Sequence, residues 1–470
     1  MKSCKLKYIF FFVISIISIK SIYMCAVTMQ PSGYERLFLL PLTFTVGFLL
    51  FFNAVFLSKD DLTDNIPYIL VILLGFVRNV ITPMYMITDS YVSSLGWVNP
   101  QNVEKAIYLV AYETVAIYAY IVLSRYVRMF DFKIKLNIKH STGVFNVIFL
   151  CMLAVSGLAL ILIPAFRTQF YTIFASDITH IVQEEAEYNV GSVLRILATL
   201  GEVCIGAIRI VLPTYFIYKC ALNGQNTKNL ILSLFCVFAQ CIFMTDSNAY
   251  ILMLMISQVL LVCRLFPKYF KTILKILVFL TVGFFVVLYR NRFMQDHYAN
   301  STSLFLQSYL PSVSNASGIF NIGVSNKLSQ LFVDIFIAIP FKSSFGYNGG
   351  LISTNLLWQK INDCKGQIMP MVAGSYYYFG FWLSPAMSCF CISIAKRLNR
   401  KLKCEQNVML YSVYIYFMIY SAATPFVYNS CIYFQCFLQR VIFMIIPALF
   451  STFKFSDIMH LRQTEDVNYR

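Results

Sequence analysis

Twelve apolar runs, each about 20 residues long, follow one another along this chain of 470 residues. They cover 6–27, 37–57, 66–87, 106–124, 144–165, 193–218, 229–245, 248–263, 273–289, 370–393, 407–426 and 430–450. A run of that length matches a helix crossing a hydrocarbon layer about 30 Å thick. Inside such a layer every backbone N–H and C=O must find a partner within the chain, and a helix provides this locally. Apolar residues make up 59% of the chain and charged residues 12%, against about 25% charged in soluble domains. Disorder and a soluble fold are both excluded. The expectation is an all-α, polytopic integral membrane protein with about 12 transmembrane helices. The first run follows Lys2, Lys5 and Lys7, but it is longer than a signal-peptide core and Lys20 interrupts it. It reads as a retained helix. Runs 229–245 and 248–263 are short and separated only by Asp246-Ser247, which suggests a tight hairpin or a re-entrant pair.

The basic residues orient these helices. Of 37 Lys and Arg, 23 fall at the termini and in alternate loops on the same side, nine fall in the opposite loops, and five lie within runs. Cytoplasmic loops are the Lys/Arg-rich ones, so both termini are expected to be cytoplasmic. Two larger loops then face outward. One, 166–192, carries Asp177, Glu184, Glu185 and Glu187. The other, 290–369, is a large periplasmic loop between helices 9 and 10. The chain divides into helices 1–9 (1–289), that loop (290–369), and helices 10–12 with a cytoplasmic tail (370–470). The net charge of +16 therefore marks cytoplasmic loops and no nucleic-acid partner is expected. No G-x-x-x-x-G-K-[ST] or G-x-G-x-x-G phosphate loop occurs. No repeat divides the chain into the matched halves common in transporters. The 14 cysteines form no C-x-x-C, the closest being Cys389 and Cys391, and the four histidines are scattered. No metal or other cofactor is expected.

Ionisable residues inside apolar runs are costly and point to cavities or partners. Arg78 and Glu113 lie within the third and fourth runs, and Arg195, Glu202 and Arg209 within the sixth. Glu202 is seven residues from each arginine, so the three share one helical face. They read either as a charged wall for an anionic head group or as structural ion pairs and snorkelling ends. Lys20 and Arg440 read as snorkelling or packing. Arg167 sits just beyond the fifth run. Tyr289-Arg290-Asn291-Arg292 opens the large outer loop, with Asp296, His297 and Tyr298 close behind. Guanidinium groups hold phosphate bidentately, and a carboxylate or imidazole takes a proton. Within the loop, 331–340 is apolar but too short to span, and suits an interfacial or dipping segment. Ser343–Ser353 reads as a flexible turn. The sequons Asn300-Ser301-Thr302 and Asn315-Ala316-Ser317 read as chance occurrences.

Residues 366–385, Gly-Gln-Ile-Met-Pro-Met-Val-Ala-Gly-Ser-Tyr-Tyr-Tyr-Phe-Gly-Phe-Trp-Leu-Ser-Pro, close the loop and open the tenth run. With Pro370, Tyr376, Phe379 and Gly380 in these places, the segment resembles the Wzy-type O-antigen and capsule repeat-unit polymerases. Gly374 stands where many members carry Glu, and Asn248, after Thr245-Asp246-Ser247, where many carry Arg. The layout of spans and one late outer loop is similar as well. The resemblance implies a multi-pass protein of the bacterial inner (cytoplasmic) membrane. Its substrate would be undecaprenyl-pyrophosphate-linked oligosaccharide, with membrane lipids around it and a chain-length regulator and flippase of the same pathway as partners. It implies a membrane glycosyltransferase that joins repeat units at the periplasmic face. Arg290, Arg292, Asp296 and His297 are then the candidate catalytic group. Arg167, Arg195, Glu202, Tyr376 and Tyr377 are the candidate substrate-binding residues, the tyrosines by stacking on sugars or by lying at the membrane interface. An O-antigen ligase, which shares the layout, and a flippase or transporter of lipid-linked oligosaccharide are the alternatives.

Overall fold

The computed structural model describes residues 2–55, 65–89, 91, 93, 95, 96, 98–126, 141–163, 192–243, 248–288, 301–323, 326–341, 350–364 and 366–458. The described residues are almost entirely helical. In chain order the helices are α1 (Lys2–Val27), α2 (Leu39–Val55), α3 (Ile66–Thr88), α4 (Pro100–Tyr126), α5 (Thr142–Leu162), α6 (Ser192–Leu222), α7 (Thr227–Phe243), α8 (Asn248–Leu265) and α9 (Phe270–Leu288). Then come α10 (Thr302–Tyr309), α11 (Val313–Ser317), α12 (Leu328–Ala338), α13 (Thr354–Ile361), α14 (Met371–Phe379), α15 (Ala386–Cys404), α16 (Val408–Val427) and α17 (Ser430–Phe450). Every expected apolar run lies on a helix, except that 370–393 is broken into α14 and α15. Seven helices among the described residues are long and apolar enough to cross a membrane, and an eighth if the bent pair α8–α9 counts as one span. The protein is a helical, membrane-embedded one.

Two breaks shape these helices, and the second departs from the sequence expectations. The short pair 229–245 and 248–263 forms α7 and α8, which pack on one another. The bend comes later, at Phe266, where α8 turns by 112° into the Pro267 turn and α9. Proline removes a backbone donor and bars its predecessor from helical geometry. The second break is at 380–385. Gly380 sits at φ +76°, where any Cβ would lie 2.4 Å from Asn326 Oδ1. The carbonyls freed there are taken by hydroxyls: Ser384 donates to Phe381 O (2.7 Å), Tyr112 to Trp382 O (3.0 Å) and Ser375 to Leu383 O (3.4 Å). A break at membrane depth persists only when its backbone is re-satisfied in this way.

α16 stands at the centre. Its residues are buried along nearly the whole length, and α3, α6, α8, α15 and α17 pack around it. A helix that is apolar all round suits that place. Its small residues, including Ser412, Ser421, Ala422 and Ala423, allow close approach. Ser412 also meets Thr214 of α6 (2.7 Å) and Gln258 of α8 (3.2 Å). The periphery is the reverse. α1 exposes Ile9, Phe12, Ile16 and Tyr23, α5 exposes Val147, Leu150 and Ile161, and α9 exposes Val278, Phe279 and Val282. Outward-facing side chains of this kind suit lipid and not water.

Hydrogen bonds gather the connections into two ends. At one end Ser141 meets Phe450, Tyr218 meets Asp457, Lys396 meets Ser124, and Asn407 meets Ser451. At the other, Asp89 meets Ser301, Asn102 meets Asn321, and Asn355 meets Asn429. The helices of 301–361 belong to this second end. Far from being a plain loop, the segment holds α10–α13: α12 and α13 pack around the buried Trp358 and Ile319, while α10 and α11 pack on α3 and α4. The apolar stretch at 331–340 becomes α12. Its one carboxylate, Asp334, is buried and accepts from Thr354 N (2.9 Å) and from the Tyr378 hydroxyl. Tyr378 accepts in turn from Ser430 (2.7 Å). Asn315, the second sequon position, is fully buried. Within Ser343–Ser353, residues 343–349 lie outside the described residues.

Candidate functional site

A cleft of about 320 Å³ opens between α6, α8, α16 and α17. Glu202, Tyr250, Tyr420, Gln435, Gln439 and Arg440 line it, with Tyr428 and Ile368 nearer the end that carries α10–α13. Its polar residues arise from a local irregularity. α17 starts under an Asn429 cap, whose side chain accepts from Ile432 N (3.0 Å). At Cys436–Val441 the helix widens into a π turn. Such turns shift the side-chain register and recur at functional sites. Gln435 and Gln439 then line the same cleft as Arg440, within a helix otherwise apolar.

Arg440 is held from two sides. Its guanidinium lies 4.5 Å from the centre of the Tyr250 ring. Its stem passes Gly206 of α6, where a Cβ would approach to 3.3 Å from Arg440 Cγ. The Tyr250 ring also carries Arg209, 5.7 Å away. One tyrosine therefore lies against two guanidinium groups, a favourable arrangement for each cation. From Tyr250 an aromatic series runs beside the cleft through the buried Tyr416 (6.0 Å) to Tyr420 (6.0 Å) and Tyr428 (5.6 Å), the last two lining it. The mouth is braced too. Asn429 donates to Asn355 Oδ1 (2.8 Å), which also accepts from Met369 N (3.1 Å). That fixes residues 368–369 at the rim. Gln439 donates to Ala338 O (3.1 Å) and ties the end of α12 to the cleft.

The sequence-derived candidates have different fates. Glu202 is in the cleft and exposed to it. The seven-residue spacing to Arg209 does bring both to Tyr250, but Arg209 is buried behind the ring. Arg78 and Glu113 find each other at 2.9 Å, both fully buried. Arg78 also donates to Pro425 O (3.2 Å), and Ser388 donates to Glu113. They form a buried structural pair and line neither this cleft nor the groove at Tyr376. Tyr376 lies against Phe320 in a separate groove, and Tyr377 is buried beside Trp358 and Met369. Neither reaches the cleft. Arg167, Arg290, Arg292, Asp296 and His297 lie outside the described residues, as does the side chain of Arg195. Arg440, expected to snorkel or pack, does pack on Tyr250 and Gly206, and it is also half-buried at the cleft. The signal was present as Gln435-x-x-x-Gln439-Arg440, three polar residues inside one span.

Among the described residues no three His, Cys, Asp or Glu side chains gather as metal ligands. Comparison with protein-family models, curated proteins and solved structures finds no match. The chemistry must be read from the site. A guanidinium suits phosphate oxygens, a carboxylate suits a proton in transfer, and amides with tyrosine faces suit a polar, ring-shaped substrate.

Proposed function

We propose that this protein is a membrane glycosyltransferase of the repeat-unit polymerase type, joining polyprenyl-pyrophosphate-linked oligosaccharides. The observation that carries the reading is the presence of Arg440 and Glu202 in one cleft, which Tyr250, Tyr420 and Tyr428 also line. In this reading the chain crosses the inner membrane twelve times with both termini cytoplasmic, and the capped end is periplasmic. An acceptor sugar hydroxyl attacks the donor's anomeric carbon. The new glycosidic C–O bond forms as the bond to pyrophosphate oxygen breaks. The hydroxyl proton passes to Glu202, and polyprenyl pyrophosphate leaves against Arg440. Charge builds on the leaving group as the bond breaks, so a fixed guanidinium stabilises the transition state more than the bound substrate. The reading also gives Arg290 and Arg292, from the sequence alone, a part in phosphate contact.

The test is a gel of surface lipopolysaccharide or capsule from a deletion strain carrying variants at matched membrane levels. Loss of one transition-state donor typically lowers rate by about 10²–10³. Arg440→Ala and Glu202→Gln should collapse the ladder to a single repeat, and Arg440→Lys should restore it in part, since Lys keeps charge without the bidentate fork. Lys20→Leu, at an exposed position of α1, should leave the ladder whole. Full ladders from both cleft variants would remove this cleft from the reaction. Core without any repeat would indicate a ligase instead, and repeats retained inside the cell a flippase.

A further inference from the structure

A second groove, about 490 Å³, lies on the flank of the molecule between α2, α4, the Phe320 turn and the α14–α15 break. Lys105 stands at one end and Val115 at the other, with Tyr112, Phe320, Phe381 and Trp382 between them. Trp382 is 79% exposed and Val115 47%, so the groove is open sideways, toward whatever surrounds the helices.

Its walls select against a sugar. Four side-chain hydroxyls face it, from Thr43, Tyr108, Tyr112 and Tyr376. Three are already committed: Thr43 donates to Leu39 O (2.8 Å), Tyr108 to Glu104 (3.3 Å) and Tyr112 to Trp382 O (3.0 Å). What remains is aromatic and aliphatic surface. Phe381 stacks on Tyr112 at 5.4 Å, and Phe320 meets Tyr376 edge-on at 5.2 Å. Such surface suits a hydrocarbon chain.

The length and the charge narrow the occupant. From Lys105 to Val115 is ten residues of α4, about 15 Å at 1.5 Å per residue. That is half of a hydrocarbon core about 30 Å thick, the depth of one leaflet. Val115 is also near the middle of α4. At the upper end the Glu104 carboxylate is engaged by Arg36 (3.4 Å) and Tyr108. The Lys105 ammonium lies over the Phe320 ring (5.8 Å), at the level where a lipid phosphate would sit. We propose that this groove holds a chain of an anionic membrane phospholipid, with Lys105 on its phosphate and the chain running past Tyr112 and Phe381 to Val115. A zwitterionic head group would bring its own cation to Lys105 and gain less. The site is separate from the cleft between α6 and α17, and its occupancy does not depend on glycosyl transfer.

The test uses the full chain in nanodiscs containing equal phosphatidylglycerol and phosphatidylcholine, released and weighed by native mass spectrometry. The wild type should retain phosphatidylglycerol in preference. A lysine near a membrane surface contributes about 1 kcal/mol toward anionic lipid, about a fivefold preference. Lys105→Gln should lower the retained ratio by about that factor. Val115→Trp, which fills the deep end, should reduce retention of both lipids. Lys271→Gln, an exposed cation on α9, should leave the ratio unchanged. An unaltered ratio in Lys105→Gln, an equal fall in Lys271→Gln, or full retention in Val115→Trp would each overturn the proposal. Glycan ladders that fail in Arg440→Ala while the lipid ratio holds would separate this site from the cleft.

Discussion

Arg78 and Glu113 show how an expensive residue becomes affordable inside a membrane protein. Each alone would leave a full charge in a medium of low dielectric. They neutralise one another at the junction of α3, α4, α15 and α16, while Arg78 donates to Pro425 O and Glu113 accepts from Ser388. Removing one partner of such a pair typically costs about 3–5 kcal/mol, whereas replacing both with apolar groups is far milder. Arg78→Leu should therefore destabilise the protein strongly, and Arg78→Leu with Glu113→Leu should recover most of the loss. Unfolding in detergent across the double-mutant cycle measures it. Equal losses in the single and double variants would show that the pair does not couple. Arg440 illustrates the opposite case: a cation whose face is covered by Tyr250 while its edge remains at an open cleft. Cys364 shows what burial alone does at this scale. It lies outside the span helices, and burial, with Asp363 beside it, pushes its thiol up to about 11. It should resist alkylation at pH 8 and react once the protein is unfolded, since the thiolate is the reactive form. Mass mapping after a timed maleimide pulse reads the difference.

At the scale of elements, irregularities of helices do most to shape the protein. Two π turns among the described residues, Val77–Ile81 and Cys436–Val441, each carry an arginine. One aims it into the packed core and the other to a cleft. The break between α14 and α15 is another irregularity, and it forms one wall of the flank groove. Gly380 makes it possible. At φ +76° and ψ −174° the backbone lies in a region open essentially to glycine, where another residue costs roughly 1–3 kcal/mol, and here its Cβ would also strike Asn326. Gly380→Ala should lower thermal stability in detergent, and Asn326→Gly in the same chain should return the steric part only. If Gly380→Ala were as stable as the parent, the glycine-only backbone conformation would not be needed to hold the break. Periodicity alone reads 370–393 as one continuous helix. What interrupts it is partly local, Gly380 and Pro385, and partly tertiary, since Tyr112 from a distant helix takes the Trp382 carbonyl.

Across the whole molecule, the alternation of connections between two ends follows the alternation of apolar runs. Lys219, Lys228, Arg264, Lys396 and Arg397 accompany one end, while the helices of 301–361 accompany the other. The proposed orientation predicts the labelling of single cysteines. Ser329→Cys, exposed at the start of α12, should gain reactivity toward an impermeant maleimide in intact spheroplasts. Asn223→Cys, exposed between α6 and α7, should gain it only after permeabilisation. The reverse pattern would invert the topology and move the cleft mouth to the cytoplasm.

Helical class, membrane embedding and the position of each apolar run were legible in the order of residues. A hydrocarbon layer imposes helix on any run of sufficient length, and that constraint acts locally. The costly residues were legible as well, because charge inside an apolar run is conspicuous one residue at a time. Their partners were not. Glu113 lies 35 positions from Arg78, and Tyr250 lies 190 from Arg440. Whether a charge is buried in a pair or presented in a cleft depends on which helices become neighbours. For the same reason Tyr376 and Tyr377, adjacent in sequence, part company, one to an open groove and one to the packed core around Trp358. Neighbour choice is set by side-chain packing among helices that are all similarly apolar, so no single run encodes it, and only the tertiary structure decides it.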